Sequence, residues 1–160
     1  IVGTQFRNGA TVGGSIFGRF GFSDILTCLL ALDTYVELYH AGVIALSEFV
    51  EMPRDNDILV RIIIKKDGRK IAYRSHREAA TDFPVIACAV ANKDDQWYVS
   101  VGARSGKAIE NAETFTKEVI AGYTFSSNMR GSEVYRRHLA EVYTKRAVEE
   151  ILAKNSEKGA

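Results

Sequence analysis

The sequence predicts an α+β protein, with short strands gathered mid-chain, helices at the end, and no strict strand–helix alternation. Residues 58–65, 70–76, 83–90 and 97–103 form four extended candidates. Polar turns such as Lys66-Asp67-Gly68 and Asn92-Lys93-Asp94-Asp95 separate most of them. Turns this short favour antiparallel pairing, because a parallel crossover needs about a dozen residues. Residues 132–154 then keep Tyr135, Leu139, Val142, Tyr143, Ala147 and Ile151 at helical spacing.

The elements follow in order. Six of the 13 glycines fall in the first 22 residues, marking backbone that turns sharply or approaches something closely. Ser23 is placed to cap a short helix, with Asp24 favourable in its first turn and Leu26, Leu29 and Leu30 on its apolar side. Residues 34–39 read as a strand. Residues 41–56 are turn-rich, with one helical turn at 46–49 ended by Pro53. Composition changes at 55–57, which reads as a seam between a smaller N-terminal and a larger C-terminal unit. Residues 108–121 place Ala112, Phe115, Val119 and Ile120 on one helix side and stop at Gly122. Residues 124–131 are a loop, and the polar tail 155–160 is expected to fray.

Bulk properties exclude several functions. Twenty-one basic against 20 acidic residues leave a net charge of +1, no electrostatic reason for a nucleic-acid or membrane-surface partner. No apolar run is long enough to span a bilayer. Cys28 and Cys88 sit in apolar stretches and read as buried, reduced thiols. His40, His76 and His138 lack partners at ligand spacing, so no protein-bound metal is expected. No nucleophile–base or carboxylate pair marks a catalytic residue.

The segment Asn8-Gly9-Ala10-Thr11-Val12-Gly13-Gly14-Ser15 is the chief candidate site. Paired glycines let main-chain N–H groups converge, and the Thr and Ser hydroxyls add donors suited to a phosphate. A tight turn between packed elements is the other reading. The segment fits neither the Walker nor the GxGxxG pattern.

Longer-range wording adds a resemblance. Gln5-Phe6-Arg7-Asn8-Gly9-Ala10-Thr11-Val12-Gly13-Gly14-Ser15, then Asp24 nine residues on, then Leu29-Leu30-Ala31-Leu32-Asp33, resembles the second flavin-binding stretch of the molybdenum hydroxylase FAD subunits. This is the family of xanthine, carbon monoxide and nicotinate dehydrogenases. Arg130-Gly131-Ser132-Glu133-Val134-Tyr135-Arg136-Arg137-His138-Leu139-Ala140 is similar to the signature of that family's C-terminal domain. The resemblance implies the second subdomain of an FAD-binding domain over 1–66. It implies an antiparallel sheet packed with C-terminal helices over 67–160.

It also implies a site. Thr11, Gly13, Gly14 and Ser15 would wrap the FAD pyrophosphate, and Asp24 would bond the sugar or ribityl region. Leu59 would pack on the flavin. Arg74, eight residues before Asp82-Phe83, stands where the family has a flavin-reaching lysine. Two departures bear on the pocket: Ser15 replaces the usual Asn or Asp, and Phe17-Gly18-Arg19-Phe20-Gly21-Phe22 replaces a small, proline-containing linker.

The implied function is an FAD-binding electron-transfer component of a cytoplasmic, multi-subunit oxidoreductase. It would relay electrons from iron–sulfur clusters to NAD or another acceptor. Molybdopterin and the clusters would sit on partner subunits. The family's earlier glycine-rich loop has no match here, so this chain is expected to start mid-domain, to need that N-terminal FAD subdomain, and to bind FAD weakly or not at all alone. The rivals are a scaffold of the same fold that has lost flavin, and an FAD enzyme of the cell-wall reductase type.

Overall fold

The computed structural model describes residues 3–102, 104–105 and 115–156. The chain opens with three short helices, α1 (Thr4–Gly9), α2 (Val12–Phe17) and α3 (Asp24–Leu30). Strands β1 (Thr34–Leu38) and β2 (Gly42–Ala45), helix α4 (Leu46–Phe49) and strand β3 (Leu59–Ile64) follow. Next come β4 (Lys70–His76), β5 (Ile86–Lys93), β6 (Gln96–Val101) and the two-residue β7 (Arg104–Ser105). Helices α5 (Phe115–Ala121) and α6 (Glu133–Ser156) complete the α+β architecture.

The strands form two antiparallel sheets, ordered β2-β1-β3 and β4-β5-β6-β7. Because β3 pairs with β1, the expected seam at 55–57 lies inside the first sheet. The chain instead crosses between sheets through the turn after β3, where Gly68 adopts φ 81° and Asp67 accepts the Arg69 N–H at 3.1 Å. Strand β2 falls in a segment expected to be only turns and one helical turn. The hairpin between β5 and β6 turns on Asp94 and Asp95, both with positive φ, the conformation that suits a two-residue connection.

Three apolar clusters hold this together. One packs Ile16, Leu26, Val36, Leu38, Leu46 and Phe49 beneath the first sheet. The largest places Cys88, Val90, Trp97 and Val99 against Ile120, Ala140, Ala147 and Ile151 of the last two helices. Trp97 is therefore core. The third is small: Ala31, at the end of α3, meets Ala89 and Ala91 of β5. Strand β5 is thus covered on both faces, by α6 on one side and α3 on the other. Its alternating alanines let α3 approach closely.

The long helix uses two of its arginines to hold the preceding loop and helix. Arg137 donates to the Ile120 carbonyl at 3.3 Å, its guanidinium lying 5.1 Å from the Phe125 ring centre, and Arg136 bonds Asn128. Lys145 and Arg146 are exposed. Cys88 is buried, but Cys28 is only half-buried. Residues 108–114 of the helix expected over 108–121, and residues 157–160 of the tail, lie outside the described residues.

Candidate functional site

The glycine-rich segment folds as two helical turns broken at Thr11. The Thr11 hydroxyl caps α2 by accepting the Gly14 N–H at 3.0 Å, and the Ser15 hydroxyl donates to the Thr11 carbonyl at 3.0 Å. A Cβ on Gly14 would sit 3.0 Å from the Thr11 Oγ1, so the cap needs glycine there. Ser23 caps α3 as expected, accepting the Leu26 N–H at 3.2 Å. This cap sets Asp24 at the start of α3, beside the Thr11 turn. Thr11, Gly14, Ser15, Ser23 and Asp24 line one cleft of about 330 Å³, with Phe20, Phe22, Phe83 and Pro84 on its other side.

Asp24 is held from the second sheet. Arg77, just past β4, donates through Nη2 to both carboxylate oxygens, at 2.6 and 2.5 Å, and the Tyr73 hydroxyl donates to Oδ1. Arg77 also reaches the Ser75 hydroxyl at 2.5 Å and the Asp82 carbonyl at 3.2 Å. Burial opposes ionisation of Asp24, but the hydrogen bonds from Tyr73 and Arg77 and the guanidinium charge outweigh it. The carboxyl therefore lies below its ordinary value. Burial, followed by the bond to Asp24, pushes the Tyr73 phenol well above its own.

The other expected residues part company with this cleft. Leu59 packs beneath the first sheet's core, and its Cδ2 would lie 3.8 Å from a Cβ on Gly13. It supports the turn from below. Arg74 is not brought to the cleft. Strand alternation puts Ala72, Arg74 and His76 on the α6 face, where Arg74 pairs with Glu150 and His76 lies between the Tyr135 and Tyr143 hydroxyls. The cleft-side face of β4 carries Tyr73 and Ser75, with Arg77 beyond them. Sequence reasoning missed Tyr73 and Arg77. The available signal was the period of two running through Tyr73, Ser75 and Arg77.

A second feature joins the two sheets. Phe20 and Phe22 stack at 5.1 Å between ring centres, 7° apart, and Phe22 meets Phe83 at 4.3 Å. The Arg54 guanidinium lies 5.4 Å from the Phe20 ring, and that of Arg130 lies 5.5 Å from Phe83. Arg130 also forks onto Asp82, Nε and Nη2 reaching Oδ1 at 3.1 and 2.9 Å. Two sequence signatures, the Asp82-Phe83 pair and the Arg130-Gly131 step, therefore meet in space. Phe17 packs instead into the first core.

Among the described residues, no group of His, Cys, Asp and Glu could hold a metal ion, and no helix is long and apolar enough to cross a membrane.

Comparison with known proteins bears on the fold and on residues 1–66. The family described as "FAD binding domain in molybdopterin dehydrogenase" matches residues 1–66. A curated relative, "Uncharacterized protein YgfM" of Escherichia coli (strain K12), is 29% identical over 152 residues, 89% of this chain and 58% of the relative. The chain thus spans little more than half of that protein. Among solved structures, quinoline 2-oxidoreductase from Pseudomonas putida 86 superposes with a TM-score of 0.77 at 19% identity, over 94% of this chain and 63% of that one. Carbon monoxide dehydrogenase from Hydrogenophaga pseudoflava gives 0.74 at 22% identity, over 96% and 64%. Residues 1–66 are thus similar to the FAD-binding domain of the molybdopterin dehydrogenases, and the chain as a whole shares its fold with a chain of carbon monoxide dehydrogenase.

Proposed function

We propose that this chain forms one wall of an FAD site in an electron-transfer component of a molybdopterin-dependent dehydrogenase. The observation that carries the reading is the convergence of Thr11, Gly14, Ser15 and Asp24 on one cleft, within the stretch that matches an FAD-binding family. These residues suit part of the cofactor: two side-chain hydroxyls and a tight glycine turn at one end, a carboxylate for sugar hydroxyls at the other. Gly13 and Leu59 would act from beneath by shaping the turn. Arg77 would supply the cation that Arg74, on the opposite face, does not bring there. FAD would supply the redox chemistry when bound; the polypeptide holds and orients it.

On this reading the units 1–66 and 67–160 work with an N-terminal FAD subdomain, an iron–sulfur subunit and a molybdopterin subunit in the cytoplasm, passing electrons to NAD or another acceptor. With only one wall of the cradle in this chain, FAD binds weakly. Titration of FAD into the 160-residue chain, followed by amide chemical shifts, should perturb Thr11, Gly14, Ser15 and Asp24 and saturate above the micromolar range. An unperturbed spectrum at millimolar FAD refutes the site, whereas micromolar or tighter binding refutes the one-wall reading.

One observation favours a second reading, a flavin-free scaffold. The Asp24 carboxylate is already clasped by Arg77 and Tyr73. A yellow protein, co-purifying with a molybdenum subunit, supports the relay; a colourless one supports the scaffold.

A further inference from the structure

Resting on the flavin reading, we infer that Phe20 and Phe22 form a ring-binding platform, so that the cleft beside Thr11 takes a flat heterocycle of the cofactor as well as its phosphate. Three observations carry this. The cleft of about 330 Å³ lies at the lower end of ligand pockets, roughly 300–1,000 Å³. That is room for one ring system and an adjoining phosphate, not for a whole dinucleotide. Its lining joins two chemistries, hydroxyls and a carboxylate together with four apolar residues, Phe20, Phe22, Phe83 and Pro84. A bare pyrophosphate would desolvate its charge against that aromatic side, whereas a ring covers it.

The platform is also held in place. Phe22 stacks on Phe20 and meets Phe83 at a tilt, and the Arg54 guanidinium lies over the Phe20 ring. Yet Phe20 and Phe22 remain 46% and 41% exposed, and both line the cleft. A ring laid against them makes the offset-stacked or edge-to-face contact that aromatic pairs favour. Gly18 makes the arrangement possible, because a Cβ there would lie 2.7 Å from the Phe20 ring. These phenylalanines stand in the linker where this sequence departs from its family's small residues.

The test titrates FAD, FMN, ADP and inorganic pyrophosphate into the chain, reading amide shifts and ligand ring-current shifts. FMN and ADP separate the isoalloxazine from the adenine as the ring concerned. One of them should bind within a few-fold of FAD, with pyrophosphate at least tenfold weaker. Phe22→Leu keeps apolar bulk and should weaken that ligand and FAD by up to about tenfold, the loss expected for one aromatic pair. It should also abolish the ring-current shifts and leave pyrophosphate binding unchanged. Phe22→Tyr should restore wild-type behaviour. If Phe22→Leu does not fold, Phe20→Leu, which disturbs only the outer end of the stack, gives the same reading.

Pyrophosphate binding as tightly as FMN and ADP overturns the platform. So does wild-type FAD affinity in the leucine variants, including the case where they lose self-association instead. FAD that perturbs no residue of the wild type overturns the flavin reading, and the platform with it.

Discussion

Arg77→Met tests the clasp that ties the glycine-rich segment to the second sheet. Arg77 and Asp24 keep side-chain exposures of only 21% and 16%, and they meet through a short two-oxygen contact. Exposed ion pairs contribute about 0–1 kcal/mol, and removing one partner of a fully buried pair costs about 3–5 kcal/mol. A pair between these limits predicts a loss of about 2 kcal/mol at neutral pH. For a chain of this size that is a fall in Tm of roughly 4–8 °C.

The sign of the pH dependence follows from Asp24. Its folded value lies below the ordinary one, so its stabilisation is fully present above the ordinary value. That stabilisation is lost as pH falls through the folded value. The gap between wild type and Arg77→Met should therefore be widest at neutral pH and close in strong acid. Adding Asp24→Asn to Arg77→Met should recover part of the loss, because the negative charge that Arg77 balanced is then also removed. Urea denaturation at several pH values, read by circular dichroism, measures all of this. A loss under about 0.5 kcal/mol, the range of ordinary surface substitutions, or one that does not change with pH, refutes the reasoning.

Three further outcomes are expected. Gly131→Ala brings a Cβ to 3.1 Å from Val85 Cγ1, and overpacking of this kind should cost about 1 kcal/mol or more in urea denaturation; an unchanged midpoint refutes it. Arg74→Met breaks the pairing with Glu150, so it should lower Tm while leaving FAD-induced shifts at Asp24 unchanged; altered FAD shifts would return Arg74 to the site. Burial raises the Cys28 thiol to about 11 and the Cys88 thiol to about 12. Both should resist iodoacetamide at neutral pH in the folded protein, with half-buried Cys28 reacting first as pH rises; the reverse order would contradict the burial.

What the sequence makes legible here is what depends on near neighbours. The Ser23 cap and the helical turn at 46–49 are settled within three or four residues, and both are found. The Thr11 turn left two readings open from the same local signals. The first hairpin is different. Its turn is held by the Asp57 carboxylate, which accepts the His40 and Ala41 N–H groups at 3.0 Å each, a partner that lies far along the chain. Strand β2 was hidden for that reason.

Arg74 shows the other kind of failure. Counting from Asp82-Phe83 fixes a position but not a face, and on a strand a one-residue error reverses the direction of the side chain. Which face of β4 meets α3 is decided by packing at Ala31, Ala89 and Ala91, and by the attachment of α6 to the opposite side. The meeting of Arg130 with Asp82 is likewise tertiary, although each residue stood out in its own signature.

The alanine contact between α3 and β5 has a mechanical consequence. Helix α3 is about 10 Å long, with Asp24 at one end and Ala31 just past the other, against Ala89 and Ala91. The contact is a fulcrum. One added methyl there would tilt a short lever whose other end carries Asp24 into the cleft lining. The seat of that carboxylate therefore rests on alanines at the other end of its helix.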